Sequence, residues 1–377
     1  MSILRTRAVA YKEFRHIVRD ARSLIMALVI PLLMLLLFGF ALSLDVDRIP
    51  TLIYDADGSD LSRELIHRFH GSRFFSVAGF VDSYHAIEQA IDRDEILMGV
   101  AIPRDYGQHV AAGEPADVQI LVDGSDSNTA SIALGYAESV VRSYSFELRS
   151  RAQDRKAGRR LDPPVDTRVR VWYNASLESK NYVVPGLTAV ILMIIAALLT
   201  SLTIAREWEM GTMEQLLSTP LRPAELVLGK MLAFFVVGVV DILIAVGVGV
   251  FVFHVPLRGS YLFLAVSSCT FLFGALFWGI FISASARNQL MAYQMGMLTS
   301  FLPAFMLSGL VYAIRNMPKP IQAVSYLVPA RYFITLLTGI FLKGVGIRVL
   351  WLELLFLVVY ATLIFVVATR KVKQKLA

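Results

Sequence analysis

Residues 181–205 read NYVVPGLTAVILMIIAALLTSLTIA, 25 consecutive positions without a charged side chain. A helix rises about 1.5 Å per residue, so a run of this length covers the roughly 30 Å hydrocarbon layer of a bilayer. The stretch predicts a transmembrane helix, placed at 183–205, and therefore a membrane protein. Working outward, the runs 23–44, 259–286 and 288–314 are also uncharged, and two further runs carry one acid each, Asp241 in 231–253 and Glu353 in 349–369. Six spans follow: 24–44, 183–205, 231–253, 262–284, 290–314 and 349–369. A shorter apolar piece at 332–342 suits a re-entrant or interfacial helix better than a crossing. Composition agrees, with 56% hydrophobic residues and a mean hydropathy of +0.60 against about 45–50% apolar in a soluble domain.

Charge orients these spans. The first 22 residues hold Arg5, Arg7, Lys12, Arg15, Arg19 and Arg22 against Glu13 and Asp20, and the tail 370–377 holds Arg370, Lys371, Lys373 and Lys375 with no acid. Both termini are expected in the cytoplasm by the positive-inside rule, as an even number of spans requires. Residues 45–182 carry 16 Lys/Arg against 22 Asp/Glu, a net charge of −6, which leaves +12 on the rest. The basic pI of 9.4 thus averages an acidic outer domain with basic cytoplasmic edges. It points to anionic lipid at the membrane surface and not to nucleic acid.

The first apolar run exceeds a signal-peptide core, and Ser43-Leu44-Asp45 makes a poor cleavage site, so the run reads as a retained anchor. Cys269, the single cysteine, sits in the fourth span and excludes an intrachain disulfide. Residues 1–23 have the pattern of a cytoplasmic amphipathic helix that turns into the first span at Pro31. Within 45–182, apolar runs at 50–54, 74–80, 98–102 and 117–122 alternate with helical patterns at 61–69, 84–91 and 129–149, and Pro103 is placed to open a further helix. An α/β extracytoplasmic domain with at least four strands is expected. Residues 149–164 read as a loop or a frayed helix end and 169–173 as a returning strand.

The segment REWEMGTMEQLLSTPLRPAELVLGK, residues 206–230, follows the second span. The positive-inside rule would stock this loop, 206–226, with Lys and Arg, yet it carries Glu207, Glu209 and Glu214. One helix through it would bring Glu207 and Glu214 to one face at a seven-residue spacing, an acidic surface for a basic protein partner. Thr219-Pro220 ends that helix and Pro223 opens the next. Gly229-Lys230 is followed by Met231, and alanine stands at 224 where a phosphate-binding loop needs glycine, so no nucleotide motif is present. An ordinary solvated connector is the plainer reading of the loop.

Two positions inside the spans stand out. Asp241 falls near the bilayer centre, where an acid marks a pathway or a structural hydrogen bond to a neighbouring helix. Pro303 removes a backbone hydrogen bond in the fifth span, consistent with a kink that moves or one that is static. At 326–344, Pro329, Arg331, Tyr332 and Phe333 fit an aromatic anchor, or a gate, at the outer interface. His67 and His70 share a helix face, but without a third ligand they specify no metal site.

The pattern RExExGTxExLLxTPLRPxELxLGK from Arg206 to Lys230 resembles the signature of ATP-binding-cassette type-2 permeases with a large extracytoplasmic domain, the group of bacterial multidrug and sodium exporters. KEFRHIVRDARSL at 12–24, VWYNASLESKNYVVPGL at 171–187 and YLVPARYFITLLTGIFLKG at 326–344 resemble further family segments in the expected order. The resemblance implies a dimer of six-span halves, with a second copy or a paralogue, served by separate ATPase subunits that use ATP and Mg. No cofactor is then bound by this chain. It also implies that Glu207, Glu209, Gly211, Thr212, Glu214, Leu216 and Leu217 couple the permease to the ATPase. The expected function is export of amphiphilic or hydrophobic, drug-like compounds by alternating access in a bacterial inner membrane, with the outer domain docking a periplasmic adaptor. A receptor or scaffold would need a cytoplasmic output domain, and a secondary transporter several intramembrane charges or an inverted repeat.

Overall fold

The computed structural model describes residues 2–42, 48–157, 172–174, 178–286 and 288–376. In chain order the first elements are α1 (Ile3–Arg19), α2 (Ala21–Ala41), β1 (Ile49–Asp55), α3 (Asp60–His70), β2 (Phe75–Phe80) and α4 (Tyr84–Asp92). Then come β3 (Met98–Ile102), α5 (Tyr106–Ala112), β4 (Gln119–Val122) and α6 (Ser127–Ala157). The remainder is helical: α7 (Lys180–Glu209), α8 (Thr212–Leu217), α9 (Pro223–Gly247), α10 (Tyr261–Ser285), α11 (Gln289–Met306), α12 (Lys319–Ser325), α13 (Pro329–Thr338) and α14 (Ile347–Leu376). The chain divides into two compact units, Asp45–Arg170 and the rest.

The smaller unit holds a four-stranded sheet in the order β2-β1-β3-β4, with β1 parallel to β2 and β3, and β4 antiparallel to β3. Successive side chains of a strand face opposite ways. Ile49 and Ile53 of β1 accordingly pack with Phe69 of α3 and with Ala133 and Tyr144 of α6, while Leu52 and Tyr54 pack with Ile87 and Ala90 of α4. β3 is buried at every position, as a central strand covered on both faces should be. The turn after β1 is built from Asp55, which accepts from the N–H groups of Asp57 and Gly58 and from Ser62 Oγ, and Ser59 caps α3 by accepting from Ser62 N at 3.1 Å. Two features differ from the sequence reading. The helix expected at Pro103 begins at Tyr106, and α6 runs past the end expected at 149 to Ala157, into the stretch read as a loop or a frayed helix end. The returning strand at 169–173 lies outside the described residues except for Trp172 and Tyr173, which form a bend.

In the larger unit α7 is the central helix, buried at every position from Val183 to Ala197. α10 and α11 pack along it, and α14 packs on α10. Polar side chains stitch these contacts, as is common where helices pack in lipid. Thr200 Oγ1 donates to Leu276 O at 3.0 Å, and Ser283 Oγ accepts from Ile204 N and Ala205 N at 2.9 Å.

Among the described residues, four helices are long and apolar enough to cross a membrane: Lys180–Glu209, Pro223–Val252, Tyr261–Ser285 and Ile347–Lys373. A bent pair, Lys319–Ser325 with Pro329–Lys343 at 79°, forms either a broken span or a re-entrant loop. The apolar segment Ala27–Ala41 is shorter. Three expectations are corrected. The break before the first apolar helix falls at Asp20 (φ −90, ψ 86) and not at Pro31, which α2 accommodates. The helix expected over 290–314 ends at Met306, three residues after Pro303, and Gly309 then takes φ +92. The single acidic helix expected through 207–217 is two helices, since α7 runs on to Glu209 and Gly211 at φ +70 separates it from α8. A left-handed residue cannot continue a right-handed helix, and glycine reaches that region without steric cost.

Candidate coupling junction and intramembrane acid

The junction is built by α1, the end of α7, α8 and the start of α9. α1 lies against α9, and Gly229 makes the approach possible: a Cβ there would stand 2.6 Å from Val9 Cβ and 3.0 Å from Thr6 O. Close contact brings Lys230, only 1% exposed, between two acids from different helices. Its Nζ lies 2.8 Å from Glu13 Oε1 and 2.9 Å from Glu207 Oε1. Lys12 adds a contact to Glu207 at 3.2 Å. Burial alone would push Glu13 up, but Lys230, with help from Lys12 and His16, outweighs it and holds the carboxyl below the usual range. A cavity of about 450 Å³ opens beside the cluster, lined in part by His16, Arg206, Thr212, Gln215 and Phe234.

A second tether holds the far side of the α8 turn. Arg5 Nη1 donates to Pro220 O, and Glu225 accepts from Ser2 N at 2.6 Å and from Arg222 N at 3.1 Å. These two N–H donors, with Arg5 nearby, hold Glu225 below the usual carboxylate range. The segment between Glu207 and Glu225 is thus fastened to α1 at both ends.

The acids expected to act together are separated. Glu207 is 7% exposed and committed to Lys230, and Glu209 accepts from Gln289 N at 3.0 Å and from Gln289 Nε2 at 3.1 Å, placing negative charge at the start of α11. Glu214 is exposed, as are Gln215, Ser218, Thr219 and Pro220. Met213 is buried in the core with Leu216 packed beside it, and Thr212 Oγ1 donates to Glu207 O at 3.4 Å. The Leu217 side chain lies outside the described ones. α8 therefore presents one acid to an approaching partner and anchors itself by its apolar face.

Asp241 sits midway along α9, 4% exposed, and its Oδ1 has no hydrogen-bond partner among the described residues. The expected bond to a neighbouring helix is absent for this atom. Pro31, Leu192 and Leu272 are nearby, and two voids of about 10 Å³ adjoin the carboxyl. At 326–344, Pro329 opens α13, and Arg331 donates to Ser325 Oγ at 2.6 Å with its guanidinium 4.0 Å from the Tyr326 ring centroid. Tyr332 stacks on Phe356 at 4.7 Å. Phe333 leaves the expected anchor: fully buried, it stacks on Phe271 at 4.1 Å.

Sequence reasoning missed the Glu13–Lys230–Glu207 cluster. A lysine at the margin of an apolar run, with acids in two flanking segments, was the available signal.

The sequence model of the ABC-2 family transporter proteins matches residues 21–370. The chain is 37% identical over all 377 residues to a protein of Escherichia coli K12 named probable multidrug ABC transporter permease YbhS, covering 98% of it. It is 30% identical over 340 residues to the same organism's probable multidrug ABC transporter permease YbhR, covering 90% of each chain. It is 26% identical over 357 residues to inner membrane transport permease YhhJ, covering 91% of this chain and 92% of that one.

Proposed function

Since the chain belongs to the ABC-2 family of transporter proteins, we propose that it exports amphiphilic or hydrophobic, drug-like compounds from the cytoplasm or inner leaflet by alternating access. The chain is a membrane permease subunit, and ATP hydrolysis belongs to separate subunits. In this reading six helices cross the membrane, with α2 and α11 added to the four long spans. Both termini and the loop 206–226 face the cytoplasm, and 45–182 faces outward. The permease pairs with a second copy or a paralogue, and the outer domain docks a periplasmic adaptor.

The observation that carries the coupling role is the double fastening of the α8 turn to α1. When ATP closes the partner subunits, the push arrives at Glu214 and its exposed neighbours. The Glu13–Lys230–Glu207 cluster then moves α1, α7 and α9 together, because charged hydrogen bonds in a low-dielectric site are stiff. Asp241 lies on α9, one of these helices, and Pro303 on α11, which packs along α7; both serve the pathway.

Purification from native membranes in mild detergent, with Glu214→Lys beside the wild type, tests this. An ATPase retained stoichiometrically by the wild type and lost by the variant, with efflux lost in parallel, is expected. Equal retention in both would refute the coupling role of α8, and no ATPase with either would refute the export reading.

A further inference from the structure

α1 has two sides. Thr6, Val9, Glu13 and Ile17 recur at steps of three or four residues, the period of one helix face. This side is packed: Thr6 and Val9 crowd Gly229, Glu13 pairs with Lys230, and Ile17 sits with Ala233 and Val237. The opposite side is open. Leu4, Tyr11 and Val18 follow one another at seven-residue steps and are 77%, 60% and 52% exposed, with Ile3 and Phe14 exposed beside them. An apolar stripe of this length, along a helix of 17 residues, marks a surface that something covers.

Charge identifies the cover. Arg5 and Lys12 are taken up by the junction, through Pro220 O and Glu207. Arg7, Arg15 and Arg19 are exposed, while Glu13, the one acid of α1, is on the packed side. The Arg15 guanidinium lies 5.2 Å from the Tyr11 ring centroid, which sets its charge at the edge of the stripe. Asp20 alone separates α1 from α2, whose segment Ala27–Ala41 is apolar. Apolar side chains edged by arginines, at the entrance to an apolar helix, fit the surface of a bilayer that bears negative headgroups.

We propose that the open side of α1 docks on an anionic phospholipid surface and that this seat braces the coupling junction. Lipid then holds one side of α1 and the Glu13–Lys230–Glu207 cluster the other, so the α8 turn is held most firmly on a negatively charged bilayer. The proposal rests on the reading of α2 as a span.

The test is hydrogen exchange of the full chain in nanodiscs of phosphatidylcholine or of an equal mixture of phosphatidylcholine and phosphatidylglycerol. An arginine at a charged leaflet is worth roughly fivefold in surface affinity, so three of them are expected to slow exchange of 3–19 by at least about tenfold in the mixed discs. Exchange of 206–225 slows with it. Arg7→Gln with Arg15→Gln and Arg19→Gln leaves the junction contacts in place and loses the slowing. So does the wild type in about 1 M salt, where the screening length falls to about 3 Å. Slowing that persists in the triple variant, or 3–19 exchanging alike in both discs, overturns the proposal. Protection of 3–19 that waits for the ATPase subunit does so too, because a protein then covers the stripe. Slowing of 3–19 without 206–225 overturns the bracing. Exchange across 27–41 reads the span by itself: a protected α2 with an indifferent α1 removes the docking alone, whereas an open α2 removes the six-span reading as well.

Discussion

Replacing Lys230 with methionine keeps the length of the side chain and removes the charge that two acids share. The Lys230 ammonium contacts Glu13 at 2.8 Å and Glu207 at 2.9 Å, with 1% of its side chain exposed against 12% and 9% for the acids. Lys12 remains, but it is 55% exposed and stands 3.8 Å from Glu13 and 3.2 Å from Glu207. Removing one partner of a buried ion pair costs about 3–5 kcal/mol because the other charge is stranded. Removing Lys12 breaks a half-exposed pair, for which about 0–1 kcal/mol is expected. Lys230→Met is therefore expected to lower the thermal midpoint in detergent well below that of Lys12→Met, and adding Glu13→Gln with Glu207→Gln recovers most of the loss. The pH dependence has a fixed sign. Glu13 is held below its unfolded value, so its contribution is present above about pH 4.5 and is lost as pH falls through the lowered folded value. In Lys230→Met that acid limb flattens. Equal midpoints for the two lysine variants, or an unchanged acid limb, would refute the assignment of the cluster.

Gly229→Ala places a Cβ 2.6 Å from Val9 Cβ, so α1 must shift, at a cost of about 1–3 kcal/mol read as a lower thermal midpoint and weaker ATPase co-purification. Asp241→Leu removes an unpartnered buried carboxyl and is expected to leave stability unchanged or raise it by about 1–3 kcal/mol while efflux falls; normal efflux would remove Asp241 from the pathway. In the sheet unit, burial pushes the Tyr106 hydroxyl up to about 12. An unfolded tyrosine ionises near about pH 10, so the Tyr106 contribution is whole below that pH and is lost as pH rises toward 12. Near-ultraviolet circular dichroism of the chain should show this alkaline loss, and Tyr106→Phe should reduce it.

The elements that were legible are those whose signal is local. Met98–Ile102 is an apolar run because β3 is covered on both faces, and Val183–Ala197 is one because α7 is covered all round. The end of α7 was not legible, since hydropathy stops at Ala205 while the helix continues to Glu209 through residues that make their own ion pairs and caps. Gly211 reads equally as a weak helical residue or a left-handed break, and only the geometry decides. Pro31 looked like the hinge because proline removes a donor, yet a helix can carry it and the chain bends at Asp20. The ion cluster joins positions 217 residues apart, a distance over which no spacing rule operates.

The central claim is that the exposed side of α8 meets the ATPase. A photo-crosslinking side chain in place of Glu214, with a control in place of the exposed Tyr261 at the start of α10, measures it in intact membranes. An adduct with the ATPase subunit from position 214 and none from position 261 is the predicted result. No adduct from 214, or equal adducts from both positions, would contradict it.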